Sequence, residues 1–123
     1  MKTKRILFIL SLFLSVSLFT SAQTDCKQLP TSFATYEEAI SKVKAAKFKI
    51  NETINTERSS WIRGLSYYSC DGTTGFLIMK TDKKEYIHTG VPYTLWQDFK
   101  KASSLGSFYD LNVKHKYHLD VGR

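Results

Sequence analysis

The chain has 123 residues, of which 42% are hydrophobic and 24% charged, and its formal net charge at pH 7 is +7. This length supports one hydrophobic core and excludes an arrangement of two independently folded domains. The excess of Lys and Arg favours anionic partners without identifying any of them.

Residues 1–22 have the three parts of a secretory signal peptide. Basic residues near the start precede an apolar run from Ile6 to Phe19, and small residues lead to Ala22. The run has 14 residues, whereas a membrane-spanning helix needs about 20, so we expect cleavage after Ala22 rather than a retained anchor. The product is then a secreted or periplasmic protein with no membrane span. Cleavage removes Lys2, Lys4 and Arg5, which lowers the formal net charge from +7 to +4.

The mature chain begins with a polar segment, residues 23–32, which we expect to be an extended tail. A helix follows, because Thr35 and Glu38 have the spacing of a capping box. Tyr36, Ile40 and Val43 then recur at helical spacing, which predicts an amphipathic helix that covers a sheet.

Three or four strands come next. Residues 48–52 predict a short strand, and residues 60–68 are rich in residues that favour strands. Asp71 and Gly72 have the chemistry of a hairpin turn. Residues 75–81 are apolar on both faces, which is typical of a central strand, and residues 85–89 predict its antiparallel neighbour.

Pro92 is expected to open a second helix after the sheet ends at Gly90. That helix has an apolar stripe and is expected to stop at Gly106. A short helical element from Phe108 to Tyr117 closes the domain. The predicted fold class is α+β, with a small three- or four-stranded antiparallel meander packed with two helices and a short C-terminal helical element.

The order of several short motifs resembles the KTSC domain family, named for its occurrence at the C-terminus of some lysyl-tRNA synthetases. The matching pieces are Ser59-Ser60-Trp61-Ile62, Tyr67, Tyr86-Ile87-His88, Val91-Pro92, Phe99, Ala102-Ser103-Ser104-Leu105-Gly106, Phe108-Tyr109-Asp110, Val113-Lys114 and Tyr117. The resemblance implies a small α+β module over residues 59–118, preceded by a tail and helix extension over residues 23–58. The synthetase context implies RNA binding. One departure is that the second tyrosine of the family's central Tyr-x-Tyr is His88 here.

The sequence contains little that supports a catalytic function. Cys70, His88 and an aspartate could be combined into a nucleophilic set, but Cys26 and Cys70 are the two cysteines of an exported chain, and we expect them to form a disulfide. No serine lies in a Gly-x-Ser-x-Gly elbow. His115, His118 and Asp120 could hold a metal on a helix, although structural zinc sites usually have four ligands and the neighbouring lysines oppose a cation. We expect no enzymatic activity, no metal and no cofactor.

A binding surface is expected instead. Tyr86 and His88 alternate onto one side of their strand, and the basic segment after residue 113 has to fold back onto the domain if Tyr117 is to be buried. The alternative is that these tyrosines edge the core and the lysines are merely solvated. The candidate binding residues are Tyr67, Tyr86, His88, Lys114, His115, Lys116 and Tyr117.

The sequence therefore predicts an exported, non-enzymatic binding module whose ligand is unknown, with an anionic envelope component or a protein as its partner. Nucleic-acid binding, implied by the family, is the first alternative, but export from the cytoplasm disfavours it. A small hydrolase is the second alternative.

Overall fold

The structure is a computed structural model that describes residues 23–122, so the predicted signal peptide lies outside the described residues. A 3₁₀ turn at Cys26–Gln28 precedes the first helix. The helices are α1 (Tyr36–Ala45), α2 (Tyr93–Lys101) and α3 (Leu105–Asn112). The strands are β1 (Ile50–Thr53), β2 (Gly64–Ser69), β3 (Thr74–Lys80) and β4 (Glu85–Pro92). Among the described residues, no helix has both the length and the apolar character needed to cross a bilayer.

The four strands form one antiparallel sheet in the order β1-β2-β3-β4, which confirms the predicted meander and the α+β class. The β2–β3 hairpin turns at Gly72, whose φ of 83° lies in the left-handed region that favours glycine. The Asp71 carboxylate accepts hydrogen bonds from the backbone N–H groups of Thr73 and Thr74 at 2.8 and 3.1 Å. These bonds hold the pKa of Asp71 below its usual value.

Both faces of the sheet are apolar and both carry a cover. We call the side covered by α2 and α3 the first face and the side covered by α1 the second face. The core of the first face comprises Ile62, Leu65, Tyr67, Leu77, Met79, Val91, Trp96, Phe99, Leu105, Tyr109 and Val113. The core of the second face comprises Phe33, Ala39, Ile40, Val43, Tyr68, Ile78, Ile87 and Leu119. The sheet is therefore the middle layer of three.

The C-terminal segment passes from one face to the other around β4, which is an edge strand. Tyr117 packs against the first core, whereas Leu119, two residues later, is buried in the second. The segment ends beside the N-terminal region, where Val121 forms a parallel bridge with Phe33. Both ends of the described chain therefore help α1 to cover the second face.

The predicted disulfide is present, and the predicted capping box forms with its second hydrogen bond to Ala34 in place of the N-cap residue Thr35. The Thr35 hydroxyl accepts from the Glu38 N–H at 3.0 Å, and the Glu38 carboxylate accepts from the Ala34 N–H at 2.7 Å. Cys26 and Cys70 form an intramolecular disulfide with their Cα atoms 5.9 Å apart. It ties the N-terminal 3₁₀ turn to the β2–β3 hairpin. The bridge closes a loop of 44 residues, for which the chain-entropy account gives about 4 kcal/mol at most.

Several local predictions need correction. β4 extends to Pro92, because Gly75 and Val91 still pair beyond the irregularity at which Thr89 and Gly90 of β4 lie opposite Phe76 of β3. α2 ends at Lys101, and Gly106 lies inside α3 rather than stopping a helix. Trp61, from the motif at residues 59–62, is 36% exposed.

Position 106 needs a glycine because Trp61 packs closely against it, not because a helix ends there. A Cβ atom at this position would lie 2.3 Å from Trp61 Nε1 and 2.9 Å from Cε2. The Trp61 ring in turn packs edge-on against Tyr109, with the two ring centroids 6.0 Å apart. The small residue thus lets the indole lie on the first turn of α3.

We predict that Gly106→Ala lowers the free energy of unfolding by about 1–3 kcal/mol, because the indole has to move. Chemical denaturation of single and double variants checks this. In a Trp61→Ala background the same change should stabilise the protein by up to about 1 kcal/mol, since alanine is the better helix former. Equal effects of Gly106→Ala in the two backgrounds would contradict the assignment.

Candidate functional site

A cavity of about 250 Å³ lies along the outer edge of β4. Five consecutive residues, 84–88, line one side, which places the cavity beside the strand edge rather than over a single face of the sheet. Tyr36 and Glu37 at the start of α1 form a second side, and residues 117–119 form a third. The crossing C-terminal segment therefore closes one end of the cavity.

Tyr86 and Tyr117 give the cavity its aromatic character. Tyr86 is 37% exposed, and the Lys84 ammonium lies 4.9 Å from the centroid of its ring. Tyr86 pairs with Met79 and His88 pairs with Leu77, so both side chains belong to the first face, as the alternation predicted. Tyr36, expected on the apolar face of its helix, is 49% exposed and lines the same cavity.

His88 connects β4, α3 and the C-terminal segment. Its Nδ1 lies 2.8 Å from the Tyr117 carbonyl oxygen, and its Nε2 lies 2.8 Å from the Tyr109 hydroxyl. A carbonyl oxygen can only accept, so Nδ1 carries the proton, and Nε2 of the neutral ring accepts from Tyr109. Burial raises the pKa of Tyr109 to about 12, so this hydroxyl remains a donor.

The pKa of His88 is lowered mainly by burial, and the nearby His118 lowers it further, although the hydrogen bond to the Tyr117 backbone opposes the shift. The side chain is only 7% exposed. The neutral tautomer satisfies both of its partners, whereas a protonated ring would present a second donor to Tyr109. Neutral His88 therefore holds the C-terminal segment and α3 against β4 at the back of the cavity.

The structure separates the other candidate binding residues into two groups. Lys114, His115 and Lys116 are exposed in the turn after α3, next to Tyr117 but outside the cavity lining. Tyr67 is fully buried: its hydroxyl donates to the Val91 carbonyl at 2.7 Å, and its ring stacks on Trp96 with centroids 5.3 Å apart. Tyr67 is a core residue and cannot contact a ligand.

Comparison with protein families identifies part of this region. The model of the KTSC domain family matches residues 76–117, which span most of β3 and all of β4, α2 and α3. This match supports the resemblance to the KTSC domain family that the sequence motifs indicated. The match begins at Phe76, so the motif at Ser59–Ile62 and Tyr67 lie outside it. Neither the curated proteins nor the solved structures that were compared with the chain include a match.

The matched region contains every candidate binding residue except Tyr67. His88 is held by the Tyr109 hydroxyl and the Tyr117 carbonyl, which both lie in the matched region. The matched region thus supplies residues 84–88 and Tyr117 to the cavity, whereas His118 and Leu119 follow it in the chain and α1 precedes it.

The structure does not assemble the catalytic and metal sets that the sequence raised as alternatives. The Cys70 sulfur is bonded to Cys26, and both ring nitrogens of His88 have protein partners. His118 lies with Nε2 3.2 Å from the His115 carbonyl oxygen. Within residues 23–122, the metal-ligating side chains that gather closely are Asp25 with the two disulfide cysteines.

Sequence reasoning missed Tyr36 and Glu37 as members of this site. Both were assigned to a helix that covers the sheet, which is correct for the helix as a whole. Their position at its first turn, next to β4, depends on where α1 crosses the sheet, and no local pattern reports that crossing point.

We predict that the domain loses stability as the pH falls below about 6.5, because the unfolded chain then protonates His88 while the folded chain resists it. The loss amounts to at most about 1.4 kcal/mol per pH unit and ends once the pH passes below the folded-state pKa. Denaturant unfolding at pH 7.5 and 5.5 measures it.

The matched control uses a second histidine. His88→Gln should remove this part of the pH dependence and also lower stability at pH 7.5. His115→Gln, at an exposed position, should leave both quantities unchanged. An identical pH dependence in the wild type and His88→Gln would show that His88 is not the titrating group.

Proposed function

We propose that this protein is an exported, non-enzymatic binding module that takes a short extended segment of a protein partner along the edge of β4. The observation that carries the proposal is the cavity beside residues 84–88, bounded by Tyr36 and Tyr117. The Cys26–Cys70 disulfide supports export, since such bonds persist in oxidising compartments.

The geometry of β4 favours a peptide ligand. Within residues 23–122, β4 pairs with β3 on one side only, so its other edge carries backbone donors and acceptors that an added strand can pair with. Tyr86 and Tyr117 offer apolar rings with polar hydroxyl ends, a combination enriched at protein interfaces. Specificity would come from side chains of the peptide that contact these rings.

The charges around the cavity favour a peptide over a polyanion. Lys84 and His118 line the cavity together with Glu37 and Glu85. Glu85 also accepts from Lys44 at 2.5 Å, so part of the basic character is already compensated. Lys114 and Lys116 lie outside the cavity and can contact acidic residues that flank the bound segment.

Selection from a random peptide library on the immobilised protein tests the proposal. We predict enriched peptides that bind the wild type, and about a tenfold loss of affinity for Tyr86→Ala, the loss expected when an aromatic contact is truncated. Leu111→Ala, which removes another exposed apolar side chain (71% exposed), should bind normally.

Salt dependence separates the peptide from the nucleic-acid alternative. The affinity for a peptide should change little between about 50 and 200 mM salt, whereas the affinity for a polyanion falls steeply over that range. Tight, salt-sensitive binding of a uridine 12-mer that is lost in Lys114→Ala/Lys116→Ala, without any enriched peptide, would support nucleic-acid binding and overturn the proposal.

A further inference from the structure

A larger groove of about 740 Å³ lies at the other end of the second face, away from the β4 cavity lining. α1 has only 10 residues, and it leaves the half-buried Phe48 and Phe76 beside the buried Tyr68 without a helical cover. The N-terminal segment around Leu29 and Pro30 forms one wall, with the disulfide next to it. We call this the aromatic groove.

The floor of the aromatic groove is apolar and is formed by aromatic rings. Phe48 lies between Tyr68 and Phe76, with ring centroids 5.5 and 6.1 Å apart. Tyr68 pairs with Asn51 on one side and with Phe76 on the other, and Phe76 lies at the irregularity between β3 and β4. The groove lies over the faces of these rings, not along a strand edge. A peptide laid in the groove would bury amide groups without partners, which is costly, whereas a hydrocarbon chain would not.

The opposite wall is open. Gly90, with φ of 73°, lines the groove, and a Cβ atom placed there would meet nothing within 4 Å. No side chain therefore narrows the groove at this point. Its volume lies within the range of about 300–1,000 Å³ that is typical of small-molecule sites.

The rim is cationic. Lys27 and Lys49 both line the groove, and the parallel bridge between Asp25 and Lys47 brings their two segments side by side. Among residues 23–122, neither lysine has an ion-pair partner. The one acidic lining residue, Asp71, is engaged by the backbone N–H groups of the hairpin turn. The rim therefore offers two ammonium groups to an anion.

We propose that the aromatic groove binds a long-chain fatty-acid anion, with the alkyl chain over Phe48 and Phe76 and the carboxylate at Lys27 and Lys49. The apolar floor accounts for the chain, and the two ammonium groups account for the head group. This site is independent of the peptide-binding function proposed above, because the two cavities share no lining residue.

Calorimetric titration with dodecanoate, kept below its micellar concentration, tests the proposal. We expect one site per chain, and dodecan-1-ol, which lacks the carboxylate, should bind at least about tenfold more weakly. Lys27→Gln/Lys49→Gln should weaken dodecanoate binding about tenfold and leave dodecan-1-ol unaffected. Tyr86→Ala should bind dodecanoate normally, so failure of the β4 proposal would not affect this result.

The matched control is Lys83→Gln/Lys101→Gln, which removes the same charge from exposed positions outside the groove. Both double variants should keep their stability within about 0.5 kcal/mol, as is usual for surface changes. Equal affinity of the two double variants for dodecanoate would overturn the proposal, as would the absence of binding. Binding seen only with phosphatidylglycerol vesicles would also overturn it and would indicate a membrane surface instead.

Discussion

The structure depends on a sheet that is apolar on both faces. In β3, Leu77 and Met79 are buried on the first face and Ile78 is buried on the second. Each face therefore needs a cover to remove it from water. α2 and α3 follow β4 directly in the chain and cover the first face. The second face is covered by α1 and by the C-terminal segment, which come from the two ends of the described chain.

The two candidate sites arise where the cover of the second face ends. At one end, the C-terminal segment crosses the edge of β4 and leaves the cavity beside Tyr86, with His88 holding the crossing in place. At the other end, α1 stops short of Phe48 and Phe76, and the disulfide holds the N-terminal segment as the wall of the aromatic groove. Each site is thus bounded by a terminal segment of the described chain, and a specific contact anchors each segment.

Local patterns in the sequence were enough to predict the strands, the α1 capping box, the disulfide and the α+β class, because each depends on neighbouring residues or on a single possible pairing. Local patterns failed where the role of a residue depends on a contact with a residue distant in the sequence. Gly106 resembles a helix stop until Trp61 is placed against it. Tyr67 and Tyr86 are both strand tyrosines, yet Tyr67 is buried against Trp96 and Tyr86, on the edge strand β4, is 37% exposed. The aromatic groove escaped prediction because it requires knowing the length of sheet that α1 leaves uncovered.

Amide hydrogen exchange on the oxidised protein and on Cys26→Ala/Cys70→Ala tests most directly whether the N-terminal part of the second face is an anchored cover. The Lys47 N–H bonds the Thr24 carbonyl, and the Cys26 N–H bonds the Lys47 carbonyl. Without the disulfide, we expect these two amides to lose far more protection than the amides of β3, since local opening then replaces global unfolding as their route to exchange. Equal losses of protection at Lys47 and throughout β3 would contradict this account, because they would show that the cover and the sheet open only together.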